Sequence, residues 1–237
     1  MFMDESGPNY DPPEDRSVVL GIVLCAPTAA TVFHDHLTRL ALDLETVFPQ
    51  IVGQEWQGAY LGKRITRAQR RRTANAGKPL MPESDRSACF ARVLRAIPNV
   101  AQVHAMALTS SWHSTTPKAW GKDYRLREAT ISALAALEAH GLVITEAYID
   151  HGHDRGYASA FERYSQTFGG AVPRLQFLPS VQDRRLQVAD LVAHAARAHR
   201  FPRGQHTKGL GTWLGSGLLG NRLLTHGGNP DHYVTQA

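Results

Sequence analysis

The sequence predicts an α/β layered fold, one domain in which helices cover a central sheet. Three observations carry that expectation. The run SVVLGIVLC at 17–25 is β-branched, apolar and nearly continuous, as in a central strand covered on both faces. Segments 28–48 and 123–140 repeat apolar residues at helical spacing. From residue 84 onward, helix-like and strand-like segments alternate.

Taken in order, the chain opens with a short apolar strand, Phe2-Met3-Asp4, followed by Glu5-Ser6-Gly7. Asp, Ser and Gly suit a turn that ends this strand, and a carboxylate fixed at a strand end equally suits a metal ligand. After the 17–25 strand, Thr28–Phe48 reads as a helix with Val32, Leu37, Leu40, Leu44 and Phe48 on its apolar face and Pro49 as its stop. Periodicity then fails from about 50 to 83, where QEWQGAYLGKRITRAQRRRTANAGKPLMP is polar, basic and punctuated by Gly and Pro. This stretch reads as an insertion or lid with at most a short helix.

Ser84–Ala96 reads as a helix with Ser84 as N-cap, and Val100–Leu108 as an alternating strand. A helix over Asp123–His140 buries Leu126, Ala129, Ala133, Leu134 and Leu137 and stops at Gly141. Leu142–Ile149 forms the next strand, ending in Asp150. The loop HGHDRG leads to a helix over about 155–167, then come a strand at Arg174–Leu178 and a helix at Arg184–Arg200. The Gly-rich tail from Phe201 suggests only short turns.

Composition narrows the class. Hydrophobic residues make up 43% of the 237, enough for a sizeable core. No apolar run approaches the roughly 18 residues of a membrane span, and Asp4 and Glu5 interrupt any signal-peptide pattern, so the expectation is a cytoplasmic chain without a membrane partner. Cys25 and Cys89 lie in apolar segments without CxxC spacing and read as buried thiols. The formal net charge is +5, supplied mostly by Arg, whose planar fork favours phosphate. A polyanionic partner fits, and so does a GC-rich genome.

The segment RRLQVADLVAHAARAH holds the most information. At 100° per residue, Asp183, Gln187, Asp190, His194 and Arg197 share an arc of about 80°, while Leu, Val and Ala cover the rest. Such a helix is buried except for one thin polar strip, which faces either a cleft or solvent. Asp4, Asp150 and Asp190 thereby share a context: two strand ends and a polar strip. Carboxylates about 4 Å apart repel by roughly 4 kcal/mol per pair at an effective dielectric near 20, so a cluster of them requires a shared proton or a cation. Two Mg²⁺ or Mn²⁺ ions are the economical solution and would equip the site for in-line phosphodiester displacement.

Four motifs add a resemblance. The N-terminal M-D-E-S-G, the E-x-x-G at Glu55–Gly58, the Y-I-D at Tyr148–Asp150 and the Q-x-A-D-L-V-A at Gln187–Ala193 resemble the bacterial and phage family called domain of unknown function 3800, over about residues 2–200. That resemblance implies a ribonuclease H-like fold, with a mixed central sheet flanked by helices; the basic insertion at about 50–83 departs from the family's pattern, and residues 201–237 read as a C-terminal extension beyond it. In such a fold, carboxylates on a first strand, a following element, a fourth strand and a late helix gather around divalent metal. It implies Asp4, Glu55, Asp150 and Asp190 as catalytic metal ligands, with Glu5 as a neighbour in their outer surround.

Other residues are read from their own chemistry. His194, one turn beyond Asp190, would either carry protons or hydrogen-bond a carboxylate from behind, and Gln187 would orient a ligand or cap a backbone group. His151 and His153, with no HExxH and no cysteine partner, read as a loop that orders Asp150 rather than a zinc site. Lys63, Arg64, Arg67, Arg70, Arg71 and Arg72 form the densest basic run, spaced either to line a nucleic-acid backbone or to make a solvated face. There is no G-x-S-x-G elbow and no phosphate-binding G-x-x-x-x-G-K-[ST] motif. The expectation is a metal-dependent nuclease. The alternatives are a catalytically silent nucleic-acid-binding or scaffold protein of a phage, mobile-element or defence system, and a metal-dependent hydrolase of nucleotides or small phosphoesters.

Overall fold

The computed structural model describes residues 1–6, 17–62, 81–111 and 122–200. In these segments β1 is Phe2–Ser6, β2 Ser17–Cys25, α1 Pro27–Val47, α2 Gly58–Leu61, α3 Glu83–Arg95, β3 Val103–Ser111, α4 Lys122–Ala139, β4 Glu146–Asp150, α5 Asp154–Phe168, β5 Arg174–Leu178 and α6 Arg184–Arg200. Short 3₁₀ turns at Pro49–Ile51 and Ser180–Gln182 complete the order. The five strands form one mixed sheet in the order β3-β2-β1-β4-β5. Only β2 runs against the others: it pairs antiparallel with β1 and β3, while β1–β4 and β4–β5 are parallel. The α/β expectation therefore holds as a mixed five-stranded sheet flanked by helices. The basic run at residues 63–72 and the extension at 201–237 lie outside the described residues.

Two apolar layers sandwich the sheet, because its strand side chains alternate between faces. Val18, Leu20 and Ile22 of β2, with Met3 of β1, pack against Leu126, Ala129, Leu137 and Phe161 of α4 and α5. On the other face Phe2, Val19 and Val23 pack against α6, behind which Phe33, Leu37 and Leu44 of α1 and Phe90 and Val93 of α3 close the core. Each such side chain contributes roughly 1.5–3 kcal/mol when fully removed from water. This double cover is why 17–25 reads as an unbroken apolar run.

Several boundaries differ from the sequence expectation, for identifiable reasons. β1 does not stop at Asp4: Glu5 pairs with Leu20 and Ser6 with Val19, so the partner strand carries the ladder past the turn-forming residues and leaves Asp4 in mid-strand. On α1 the buried stripe is Ala29, Phe33, Leu37, Ala41 and Leu44, while Val32 is 53% exposed. Ser84 is not an N-cap, because α3 starts at Glu83 after Pro82, and its hydroxyl turns to Asp85 instead. The third strand begins at Val103 rather than Val100. Leu142–Thr145 is not strand, and Val143 stands 85% exposed. The stop at Gly141 holds, with φ at +70°, a conformation open to glycine.

The contact that positions the site lies at Gly21, which pairs with Asp4 across β1 and β2. A Cβ at Gly21 would come 2.0 Å from the Ala189 carbonyl oxygen and 2.5 Å from the Ala193 nitrogen. Helix α6 thus seats its backbone directly on β2, which only a residue without a side chain permits, and the small Ala189 and Ala193 complete the fit. The seat brings Asp190 and His194 alongside Asp4 and Ser6. We expect Gly21→Ala to destabilise the chain by roughly 1–3 kcal/mol, the cost of overpacking a dense core. Denaturant unfolding checks this, and an unchanged midpoint would contradict the close approach.

Candidate metal centre

Alternation along β1 sends Phe2, Asp4 and Ser6 toward α6, and Met3 and Glu5 toward α5. Asp4 is 7% exposed. Its Oδ1 accepts the Glu5 backbone N–H at 2.6 Å, and among the described residues no Lys, Arg or His pairs with it. Burial pushes the Asp4 carboxyl well above the ordinary aspartate range, and the negative charges of Asp190, Glu5 and Asp150 push it further. The carboxylates of β1, β4 and α6 are thus close enough for each to disfavour ionisation of Asp4.

Asp150 stands at the end of β4, as the sequence suggests, but Ser180 rather than His151 orders it. Because Asp150 pairs with Leu178 at the end of parallel β5, the turn that follows β5 arrives beside it. There the Ser180 backbone N–H donates to Asp150 Oδ1 at 2.7 Å. Burial raises the Asp150 carboxyl, the Ser180 bonds pull it back, and Glu5 and Glu55 raise it. The Ser180 hydroxyl also donates to Glu55 Oε1, tying the loop before α2 to the same point. Gln187, buried on α6, closes the bracket: its Nε2 donates to the Ser180 carbonyl at 2.9 Å and its Oε1 accepts the Trp56 N–H at 3.2 Å.

The surround divides by face. Glu5 accepts from the Tyr157 hydroxyl at 2.7 Å and lies 3.8 Å from His153 Nε2. Tyr157 is fully buried, and burial with the Glu5 charge holds its hydroxyl protonated, its pKa pushed well above the usual tyrosine value. His194 sits one turn from Asp190, its Nδ1 4.0 Å from Asp190 Oδ1 and 3.2 Å from the Ser6 hydroxyl. His151 is exposed and pairs with Asp154 at 2.9 Å, so it belongs to the loop and not to the carboxylates. Asp183 also leaves the strip: it precedes α6, caps the Arg185 N–H and pairs with the Arg185 side chain at 2.7 Å. Lys63, Arg64, Arg67, Arg70, Arg71 and Arg72 lie outside the described residues.

Ser180, Tyr157 and Ser6 do not stand out in the sequence as site residues. Only Ser180 had a signal, its place just past a strand parallel to the one ending in Asp150, and that signal needs the strand order. In donor chemistry Asp4, Glu55, Asp150 and Asp190 suit a hard divalent ion, which takes oxygen ligands. Among the described residues, however, no group of three or more His, Cys, Asp or Glu side chains is arranged to hold a metal ion as it stands. Ser180 engages one oxygen each of Glu55 and Asp150. A cavity of about 590 Å³ at the opposite end of β1 and β4, between Met1, Cys25, Val143 and Arg185, shares no residue with this cluster.

Among the described residues, no helix is long and apolar enough to cross a membrane. No protein-family model, curated protein or solved structure matches the chain.

The raised Asp4 carboxyl has a definite sign in stability. Between the ordinary aspartate value of about 3.9 and its raised native value, the folded chain holds a proton that the unfolded chain has released. Stability therefore falls as pH rises through that window. In chelator, Asp4→Asn is expected to raise the melting temperature at neutral pH, with the gain fading toward pH 4. Thermal unfolding across pH 4–8 checks this, and an Asn variant no more stable than wild type at pH 7 would remove the claim.

Proposed function

We propose that this chain is a divalent-metal-dependent phosphodiesterase acting on nucleic acid, built on a ribonuclease H-like sheet. The observation that carries the reading is the crowding of Glu5, Asp150 and Asp190 on a buried Asp4 that has no basic partner among the described residues. Structural ion clusters neutralise such charge with Arg or Lys, whereas a site that waits for a cation leaves it uncompensated. The acids come from a first strand, a fourth strand and the last described helix, with Glu55 on the intervening loop, the distribution that the resemblance implies.

In this reading Asp4, Glu55, Asp150 and Asp190 hold Mg²⁺ or Mn²⁺. A bound pair of such ions supplies Lewis-acid activation of water and charge neutralisation for in-line displacement at phosphorus. The chain's own residues do the rest. Ser180 presents Glu55 and Asp150 together, Gln57 holds the second Glu55 oxygen at 2.7 Å, and Gln187 fixes Ser180 and the loop at Trp56 relative to α6. Tyr157 and His153 hold Glu5 at the rim. His194, between Ser6 and Asp190, orients Asp190 and takes up or returns a proton beside the carboxylates. The basic run after α2 follows Glu55 closely in sequence and would track the phosphate chain.

The alternative of a nucleic-acid-binding or scaffold protein without turnover draws on the Ser180 contacts, which engage two of the four ligands. One experiment separates the two. Titrating Mn²⁺ is expected to raise the melting temperature of the wild type and to leave Asp190→Asn unmoved. Single-stranded, duplex and hybrid RNA and DNA are then assayed for cleavage. Asp190→Asn is expected to lose activity beyond the roughly 10–100-fold that an outer partner such as Gln187 is worth. Tight polynucleotide binding with no Mn²⁺-dependent shift and no cleavage would favour the scaffold.

A further inference from the structure

Two neighbouring arginines open α6, and they are used in opposite ways. Arg185 is fully engaged: its guanidinium forks onto Asp183, donates to the Ala30 carbonyl and lies over Phe2, 4.3 Å from the ring centroid. Arg184 lies over Trp56, with its guanidinium carbon 4.6 Å from the ring centroid, and Trp56 is buried beneath it. Stacking occupies the flat face of a guanidinium and leaves its N–H groups, which lie in the plane, free to donate outward. Among the described residues no acceptor takes them.

Those donors border a cavity of about 240 Å³ whose walls include His34, Thr38, Gln54, Glu55, Gln182 and Arg184. The volume is below the roughly 300–1,000 Å³ of pockets that enclose drug-sized ligands, and it suits one phosphate group rather than a whole cofactor. Its walls are mainly polar donors, and it opens beside the amino end of α6, where the helix dipole favours negative charge. The one carboxylate among the described wall residues, Glu55, is turned toward its own donors, the Ser180 hydroxyl and Gln57 Nε2 at 2.7 Å. Burial lowers the pKa of Arg184, and the nearby Glu45 carboxylate opposes that by favouring the charged form.

We propose that this cavity is a phosphate subsite, in which Arg184 grips a backbone phosphate flanking the scissile bond. The inference rests on the phosphodiesterase reading, because Glu55 is shared between the cavity wall and the carboxylate centre. Arg184 acts as a charged fork with no base specificity, so it fixes the register of the chain rather than its sequence. Stacking on Trp56, the residue next to Glu55, couples the grip to the loop that carries a metal ligand.

The test uses the full chain in chelator, so that no metal contributes, with inorganic phosphate as probe. Calorimetric titration is expected to show saturable binding that Arg184→Gln weakens about tenfold or more, as loss of a charge-assisted hydrogen bond would. Arg184→Lys keeps the charge and the stem, guards against a folding artefact, and is expected to retain part of the affinity. No saturable binding in the wild type, or equal binding in Arg184→Gln, overturns the subsite. With a polynucleotide, the slope of log K against log salt is expected to fall by roughly 0.7–0.9 in Arg184→Gln. Arg184-dependent phosphate binding in a chain that cuts nothing in Mn²⁺ keeps the subsite and discards hydrolysis. Cleavage with an unaltered salt slope discards the subsite and keeps hydrolysis.

Discussion

The seating of α6 on Gly21 is the constraint from which the rest follows. A helix normally stands off a sheet by the thickness of two side-chain layers, and here one of those layers is missing. The approach fixes which turn of α6 faces β1, and Gly21 lies directly across from Asp4. A larger residue at Gly21 would push away the carboxylate strip as well as the helix. The apolar remainder of α6, with Ala189, Ala193 and Ala196 fully buried, is what holds the polar strip in place.

That geometry sets an electrostatic cost against a chemical use. Holding Asp4 among three other acids disfavours its charge, and among the described residues it is met by the Glu5 backbone N–H rather than by a cationic side chain. Ser180 holds Asp150 and Glu55, Tyr157 holds Glu5, and Gln187 braces Ser180 from behind, so hydrogen bonds order these acids. Sites that break the usual consistency between burial and charge are where function is expected to reside.

Much of this was legible in the sequence where pattern alone decides structure. The 17–25 strand reads correctly because both of its faces are covered, the 174–178 strand and the 184–200 helix match their periodicity, and the single polar strip of that helix singles out Gln187, Asp190 and His194. Reading failed where a partner decides. β1 runs through Glu5 and Ser6 because β2 continues the ladder, which no local propensity reveals. Leu142 and Val143 look like strand but pass over a cavity, and Asp183 falls off the strip because it lies before the helix begins. The Ser180 bracket depends on β4 and β5 ending side by side, a fact of parallel register that residue spacing does not contain.

The place of β1 in the middle of the sheet carries a consequence for how the molecule is made. Its antiparallel neighbour β2 follows it closely along the chain, but its parallel neighbour joins Tyr148 to Phe2 from the far side of the sequence. As the polypeptide leaves the ribosome, the first hairpin can close early while one rim stays bare until β4 emerges. An unpaired rim of that kind invites edge-to-edge association with other nascent chains. Because the acids of β1 and β4 meet only when that gap is zipped, the carboxylate cluster is among the last features to assemble.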